Sequence, residues 1–264
     1  MVRSSVAVGA LVVVGCVGSS SGEPCGTVRS QLAACPGSTL VHGIDVSDYQ
    51  GSIDWTRAAS AGVGFAFGRV SDGTDVIDGE FAHNWRAMQR AGVLRGAYQF
   101  FRAAEDATAQ ATLMVEILDG AGGLESTDLG VAIDIETADG QAAETVTSQV
   151  GSWIAVIERL TGRTPIVYTN AATSAVLGTT FASYPLWVAN WGVPCPTMPE
   201  GWTAWRYWQT SNAGSVPGIQ APVDLDEFDG TLQELLAATT DAGLDGGPAN
   251  AQAGSEERGC ESEL

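Results

Sequence analysis

Short apolar runs alternate with longer amphipathic segments over most of the chain, from about residue 42 to residue 230. The short runs are typical of buried strands, and segments whose apolar residues recur every three or four positions are typical of helices. Predicted strands cover residues 42–46, 64–70, 94–101, 131–136, 165–168, 186–189 and 206–209, and predicted helices cover residues 55–61, 80–91, 105–118 and 143–160. Because helices separate the early strands, we expect parallel strands joined by right-handed crossovers. About five such β/α units followed by mostly β strands predict an α/β fold, an irregular barrel similar to a TIM barrel.

The two ends of the chain depart from this pattern. Residues 1–15 combine a positive start at Arg3 with a short apolar run, which is typical of an export signal. Residues 16–40 and 240–264 are rich in Gly, Ser, Ala and acidic residues and lack a clear period. We therefore predict a signal peptide at 1–15, a linker at 16–40, a folded domain at 41–239 and an acidic, low-complexity tail at 240–264.

The apolar run ends in Val13-Val14-Gly15-Cys16, which resembles the lipobox of bacterial lipoproteins, where the cysteine becomes the lipidated first residue. About nine apolar residues are too few to span a bilayer as a helix. We predict that Cys16 is lipidated and that residues 18–22 act as a flexible tether, so that the exported protein is held at a membrane. The alternative is an ordinary signal peptide cleaved in the Ser19–Ser21 region, which would give a secreted protein.

The cysteine count agrees with export. Apart from Cys16, the chain has an even number of cysteines, as expected for disulfides in an oxidising compartment. These are Cys25, Cys35, Cys195 and Cys260. Four cysteines allow three pairings; the simplest joins Cys25 to Cys35 across a short loop and Cys195 to Cys260, which would hold the C-terminal tail.

The chain is strongly acidic, with a formal net charge of −19 and twelve basic residues, all of them arginine. This balance excludes nucleic acid as a partner, because nucleic-acid binding needs a basic face. It also argues against charge-driven adhesion to an anionic membrane, which leaves a lipid at Cys16 as the membrane contact. A hydrophobic content of 45% is enough for a sizeable core. We expect a soluble exterior and a monomer.

Asp134 and Glu136 stand two positions apart at the end of the predicted strand 131–136. Side chains alternate along a strand, so both point to one side, about 7 Å apart along the chain. Two carboxyls this close should titrate as a coupled pair, with one pKa raised towards that of a general acid. Glycoside hydrolysis needs such a pair, a protonated carboxyl beside the leaving oxygen and an ionised group near the sugar ring. The alternative is a strand end that runs into a solvated acidic loop.

Two further acids, Asp45 and Asp224, occupy corresponding positions in other apolar stretches. In a β/α barrel the reacting groups lie where strands end at the C-terminal face, so the four acids are expected to converge. Several stretches around them form an ordered set: Gly43–Gly51, Ile53–Trp55, Gly68–Asp75, Ala91–Val93, Gly96–Phe100, Ile133–Glu136, Val167–Asn170, Leu186–Ala189, Trp208–Gln209 and Val223–Asp226. With this set, the chain resembles glycoside hydrolase family 25, the Chalaropsis-type lysozymes (N-acetylmuramidases).

The resemblance implies hydrolysis of the β-1,4 bond between N-acetylmuramic acid and N-acetylglucosamine in the glycan strands of peptidoglycan. It implies that Glu136 is the general acid/base, and that Asp134 orients the substrate's own 2-acetamido group or stabilises charge on the ring. Asp45 and Asp224 would complete an acidic floor. The implied substrate contacts are Tyr98, Tyr168, Trp187, Trp191 and Gln209.

The chain departs from the family pattern at three positions. Gln99 stands where histidine is usual, Trp191 where tyrosine is common, and Asp226 where asparagine is common. Because these changes leave the four acids in place, we expect them to affect substrate contacts and the pH range more than activity.

No cofactor or metal is predicted. His42 and His83 are too few and too far apart for a metal site, and no Cys/His spacing suggests zinc. The aspartates at 72, 75 and 78 lack the spacing of an EF-hand loop.

Two alternative functions are kept open. A chitinase-like glycosidase would need acids at positions 129 and 132, where this chain has Leu129 and Ala132. A non-catalytic, peptidoglycan-binding lipoprotein would have no need of a complete acid set, and would bind peptidoglycan without releasing reducing sugar.

Overall fold

Nine strands form one sheet in the computed structural model, which describes residues 32–241. The strands are β1 Leu40–Val46, β2 Phe65–Asp72, β3 Val76–Ile77, β4 Leu94–Phe100, β5 Gly130–Asp134, β6 Ile166–Thr169, β7 Leu186–Ala189, β8 Tyr207–Gly214 and β9 Val223–Asp229. All except the short β3 close into an eight-stranded barrel in the order β1-β9-β8-β7-β6-β5-β4-β2, with β2 pairing back onto β1. The pairings are parallel except those of β9 with β8 and β1 and of β3 with β2. The predicted irregular α/β barrel is therefore confirmed.

Helices follow the early strands and become scarce later in the chain. They are α1 Trp55–Ser60, α2 Phe81–Ala91, α3 Ala107–Gly120, α4 Ala143–Thr161 and α5 Leu232–Asp241. After β6 a short 3-10 turn, Thr173–Val176, stands in place of a fifth connecting helix. Within residues 32–241, no helix combines the length and the apolarity that crossing a membrane requires.

Large rings fill the inside of the barrel and form the floor below its C-terminal end. Phe65 and Phe67 stand two positions apart on β2, so both point into the barrel, and both are completely buried. They fit because Gly43 and Gly96 on the neighbouring strands lack side chains: a Cβ atom at either glycine would lie 2.3 Å from the facing ring. Phe67 then stacks on Trp187 with ring centroids 4.5 Å apart. These packed rings therefore close the barrel below its C-terminal end.

The strand that carries the acidic pair is shorter than predicted. β5 ends at Asp134, so Glu136 lies in the loop that follows. Contact with β6 nevertheless continues, because the Ile135 amide donates to the Tyr168 carbonyl over 3.0 Å. Ile135 is fully buried, so the alternation of side chains extends past the last strand residue.

Helix α5 was not among the predicted elements, although its sequence carries a helical signal. Its apolar residues Leu232, Leu235 and Leu236 are spaced three and four apart, and Leu235 is completely buried. Thr231 precedes the helix and accepts from the Glu234 amide over 3.2 Å, while its own amide donates to the Glu234 carboxylate over 2.8 Å. This reciprocal cap fixes the start of the helix.

Residues 32–39, which the sequence pattern places in a linker, are fastened to the barrel. Ala33 forms an antiparallel bridge with Thr197, and the Trp205 indole donates to the Ala34 carbonyl over 2.7 Å. Cys35 forms a disulfide with Cys195, their Cα atoms being 4.3 Å apart.

The predicted pairing of Cys25 with Cys35 and of Cys195 with Cys260 is therefore wrong. That pairing assumes the shortest loop in the sequence, whereas the contacts of residues 33 and 34 bring together cysteines separated by 160 positions. Cys16, Cys25 and Cys260 lie outside the described residues.

We expect the Cys35→Ser, Cys195→Ser double variant to lose about 2–4 kcal/mol of unfolding free energy, because the bridge closes a long loop and restricts the unfolded chain. Urea unfolding, monitored by tryptophan fluorescence with and without reductant, measures the loss. Reductant should lower the midpoint of the parent protein to that of the variant. A variant midpoint equal to that of the oxidised parent would contradict the expected role of the bridge.

Candidate active site

A cleft of about 490 Å³ opens at the C-terminal ends of the parallel barrel strands. The structure brings every predicted catalytic and substrate-contact residue to its lining: Asp45, Tyr98, Asp134, Glu136, Tyr168, Trp187, Trp191, Gln209 and Asp224. These residues come from seven strands or the loops that follow them. The position agrees with the rule that reacting groups of β/α barrels lie at this face.

The acids form two groups on different sides of the cleft. Asp134 and Glu136 come from β5 and its loop, while Asp45 on β1 is paired in register with Asp224 on β9. Three strand-to-strand steps separate β5 from β1 around the barrel. A sugar ring lying in the cleft would therefore have carboxyl groups on both sides.

Asp134 is almost completely buried, and its Oδ1 atom accepts no hydrogen bond from a conventional donor. Burial raises the pKa of Asp134 well above its usual value, and the nearby charges of Glu136 and Asp72 raise it further. Its carboxyl hydrogen-bonds to that of Glu136. Two carboxyls can share a hydrogen bond only when one of them holds a proton, so the pair keeps a proton above the ordinary carboxyl range.

Glu136 is the member of this pair that opens to the cleft. Its side chain is exposed to cleft solvent, yet the surrounding walls are close enough to disfavour its charge. This desolvation raises the pKa of Glu136, as does the charge of Asp224, while hydrogen bonds with Tyr168 and Asp134 oppose the rise. The arrangement therefore places a carboxyl with a raised pKa where it can exchange a proton with a bound molecule.

On the other side, Asp45 is buried, and its Oδ2 atom accepts from Gln209 Nε2 over 2.6 Å. Burial raises the pKa of Asp45 well above its usual value, and the negative charges of Asp226 and Asp224 raise it further. The pKa of Asp224 is also raised by burial, and its hydrogen bond with Asp45 opposes that rise. Like the first pair, this group therefore holds a proton more tightly than isolated aspartates do.

Gln209 is the hub of the cleft floor. Its Oε1 atom accepts from the Tyr168 hydroxyl and from Trp191 Nε1, each over 2.8 Å, while its amide nitrogen donates to Asp45. Gln209 is itself only 3% exposed. Because its oxygen already accepts two bonds and its nitrogen donates one, it orients three cleft residues more than it offers free groups to a ligand.

The aromatic residues divide into a buried floor and an exposed rim. Trp187 is 1% exposed: Phe67 stacks on its ring, and Tyr168 meets it edge-on with centroids 4.8 Å apart. Trp191, by contrast, is 48% exposed, and Tyr49 in the 3-10 turn Asp48–Gln50 after β1 is 79% exposed. Trp191 and Tyr49 therefore have ring surface available for stacking on sugars, whereas Trp187 supports the floor.

Several cleft residues were missed by sequence reasoning, among them Arg69, Asp72 and Arg102. Arg69 could have been predicted as a cleft residue, because it is a charged residue near the end of the otherwise apolar strand 64–70. Asp72 could not be read from alternation, because the register of β2 with β4 shifts between Arg69 and Ser71. After this irregularity Ser71 contacts Gln99 outside the cleft, and Asp72 lines the cleft.

The carboxylates of the β2–α2 region are engaged by arginines. Arg69 Nε donates to Asp78 over 3.1 Å, and Arg102 Nη2 donates to Asp72 over 2.7 Å. Arg69 also lowers the pKa of Asp134, against the larger effect of burial. Among residues 32–241 no group of three or more His, Cys, Asp or Glu side chains is arranged to hold a metal ion.

Gln99, the first departure from the family pattern, does not reach the cleft. Its side chain is fully buried, its Nε2 atom donating to Ser71 Oγ over 2.8 Å and to the Gln110 carbonyl over 2.9 Å, while Trp153 donates to its Oε1 atom over 2.6 Å. The expectation of an altered substrate contact is therefore wrong at this position, because the side chain points towards α3 and α4.

Comparisons with known proteins show which family the chain belongs to. The family model described as glycosyl hydrolases family 25 matches residues 44–219. Lysozyme M1 of Streptomyces globisporus is 37% identical over 210 residues, which cover 75% of this chain and 70% of that protein. The uncharacterized protein YegX of Escherichia coli K12 is 36% identical over 216 residues, covering 80% and 77%. The crystal structure of a lysozyme from Streptomyces coelicolor superposes with a TM-score of 0.73 at 33% identity, covering 78% of this chain and all of that one.

Proposed function

This chain belongs to glycosyl hydrolases family 25, and we propose that it is a muramidase acting on peptidoglycan. The bond cleaved is the β-1,4 linkage between N-acetylmuramic acid and N-acetylglucosamine. The observation that carries the proposal is the carboxyl pair Asp134–Glu136, which lines an open cleft opposite Asp45 and Asp224 and in which the pKa of both members is raised. The similarity to Lysozyme M1 supports the choice of substrate.

In the first step, Glu136 passes a proton to the glycosidic oxygen. It is the member of the pair that is open to the cleft, so it can reach a bound substrate. The bond between C1 of N-acetylmuramic acid and the bridging oxygen breaks, and the departing N-acetylglucosamine takes the proton as its 4-hydroxyl. Glu136 is then a carboxylate and accepts a proton from the water that adds at C1.

Asp134 acts on the sugar that carries the developing positive charge. When the shared proton leaves through Glu136, Asp134 becomes an ionised carboxyl held in a nearly dry position. We assign it the orientation of the substrate's 2-acetamido group. Asp45 and Asp224, on the opposite side, supply negative charge that stabilises an oxocarbenium-like ring.

Binding of the glycan strand is assigned to the rim and floor of the cleft. Trp191, on the loop after β7, and Tyr49, in the 3-10 turn after β1, offer exposed ring faces. Tyr98 and Tyr168 contribute hydroxyls that remain protonated, because burial raises the pKa of each well above its usual value. A chitinase-like activity finds no support, since Leu129 and Ala132 are buried apolar residues of the barrel.

The place of action follows from the substrate, which lies outside the cytoplasm. We propose that the chain is exported and acts on cell-wall glycan. Lipidation of Cys16 and tethering to a membrane stay predictions, because residue 16 lies outside the described part of the chain. The monomeric state likewise stays a prediction.

Incubation of the full chain with insoluble, purified peptidoglycan tests the proposal. We expect reducing sugar to appear in the supernatant, together with a fall in turbidity, and no reducing sugar from chitin oligomers under the same conditions. Sedimentation of the protein with peptidoglycan and no release of sugar would instead identify a wall-binding protein. Cleavage of chitin oligomers with peptidoglycan left intact would favour the chitinase-like alternative.

A further inference from the structure

Asp226 is a buried acid next to the cleft that the mechanism above does not use. It lies on β9 two residues after Asp224, is 1% exposed, and is not part of the cleft lining. Its Oδ1 atom accepts from Trp187 Nε1 over 2.8 Å. Its Oδ2 atom is buried and has no conventional hydrogen-bond donor within reach. A carboxylate oxygen in this position would be strongly destabilising, so the group requires a proton at or near Oδ2.

The partner for that proton is Asp45. Asp226 is paired in register with Gly43, two residues before Asp45 on β1, and with Gln209 on β8, whose side chain donates to Asp45. The carboxyls of Asp226 and Asp45 therefore point to the same side of neighbouring strands, where they hydrogen-bond to each other.

The other titratable groups that face Asp226 are Asp224 and Glu227 of its own strand and Tyr168 of β6. Asp45 is faced in addition by Asp224, to which it also hydrogen-bonds, and by Asp134. The groups that β7 and β8 bring to this pair, Trp187 and Gln209, are neutral donors.

We propose that Asp45 and Asp226 hold one proton between them. Asp226 is then a positioning residue: through this proton it holds Asp45, and with it Gln209, in place in the cleft floor. The expected effect on activity rests on the proposed function, because it requires that this cleft is the active site. Trp187 donates to Asp226, the shared proton joins Asp226 to Asp45, and Gln209 donates to Asp45. Gln209 in turn holds Tyr168 and Trp191. One proton thus sustains a continuous hydrogen-bond chain from the buried floor to the exposed rim.

Loss of the proton breaks the chain at its centre. With both carboxyls ionised, two negative charges lie in hydrogen-bond contact, next to the further charge of Asp224. The carboxyls must then separate, and Asp45 no longer holds Gln209 in place. Because ionisation occurs as pH rises, the proposal predicts an alkaline limit on activity that is separate from the titration of Glu136.

The test is the Asp226→Asn variant, since an asparagine amide donates to Asp45 at every pH and its carbonyl still accepts from Trp187. We expect the alkaline limb of kcat/KM for peptidoglycan to move upward by about one pH unit or more. Glu116→Gln is the matched control: it removes a carboxylate from an exposed position of α3 outside the cleft, and its alkaline limb should follow that of the parent. An alkaline limb that is the same in Asp226→Asn and the parent would overturn the proposal.

A second readout does not depend on activity. The indole N–H of Trp187, observed by ¹H–¹⁵N NMR and assigned with Trp187→Phe, reports directly on Asp226. It should titrate in the parent over the alkaline limb and show no titration in Asp226→Asn; a flat response in the parent would overturn the proposal, even if the variant failed to fold. If the protein releases no sugar but the indole titrates as described, the muramidase proposal fails and the shared proton stands.

Discussion

Glu136→Gln is expected to lower kcat/KM for peptidoglycan by about 10²–10⁴-fold, the range that a general acid/base contributes. Glutamine fills nearly the same volume and can keep a hydrogen bond with Asp134, but its amide cannot deliver a proton to the glycosidic oxygen. Glu136 belongs to a loop and is open to the cleft, so the fold should not depend on its charge. Thermal unfolding of the variant and the parent should therefore be similar, and the variant should still bind insoluble peptidoglycan.

Glu116→Gln is the control for this experiment. It makes the same chemical change at an exposed position of α3, outside the cleft. Release of reducing sugar by Glu116→Gln should equal that of the parent at every substrate concentration. If Glu136→Gln also released sugar at a rate near that of the parent, the assignment of Glu136 as the general acid/base would be wrong.

Asp128→Ala is expected to have the largest effect on stability. Arg95 at the start of β4 is 3% exposed, and its guanidinium forms two hydrogen bonds with Asp128, over 2.7 and 3.1 Å. It also lies 4.1 Å above the ring of Trp85. Removing the carboxylate leaves a buried charge without its main partner, which costs about 3–5 kcal/mol. For a domain of this size, the melting temperature should fall by roughly 6–20 °C.

Glu125→Gln provides the comparison, because Glu125 also approaches Arg95, over 3.5 Å, but its side chain is 53% exposed. Because solvent screens the exposed Glu125 carboxylate, its contribution is about 1 kcal/mol or less, so this variant should unfold close to the parent. Neither residue lines the cleft, and kcat/KM measured well below the melting temperature should be unchanged in both. Equal stabilities of Asp128→Ala and Glu125→Gln would contradict the account of the buried pair.

The barrel was predictable because each local signal agrees with the architecture. The apolar runs coincide with buried strands, and glycines follow α2 and α4 in the left-handed conformation at Gly92 and Gly162. Helix α5 had a usable signal in its leucine spacing. The attachment of residues 32–39 had none, because bonds to positions about 160 residues away leave no periodic trace in a short polar segment.

The acids of the cleft were predictable for a different reason: polar residues that end apolar strands meet at one edge of a barrel. What could not be predicted depends on contacts across strands. The irregularity in β2 changes which side chain enters the cleft at Asp72, and Gln209 becomes a hub only through three partners on other strands or loops. The orphaned oxygen of Asp226 is a property of its surroundings, and the sequence shows only an aspartate in place of asparagine.

The bond that is cleaved tests the central claim most directly. Purified peptidoglycan digested with the full chain is treated with borohydride, which reduces each new end, and the products are identified by mass spectrometry. The account predicts that the reduced residue is N-acetylmuramic acid at every new end. Reduced N-acetylglucosamine at the new ends would show that the other glycosidic bond is cut, and would contradict the muramidase proposal.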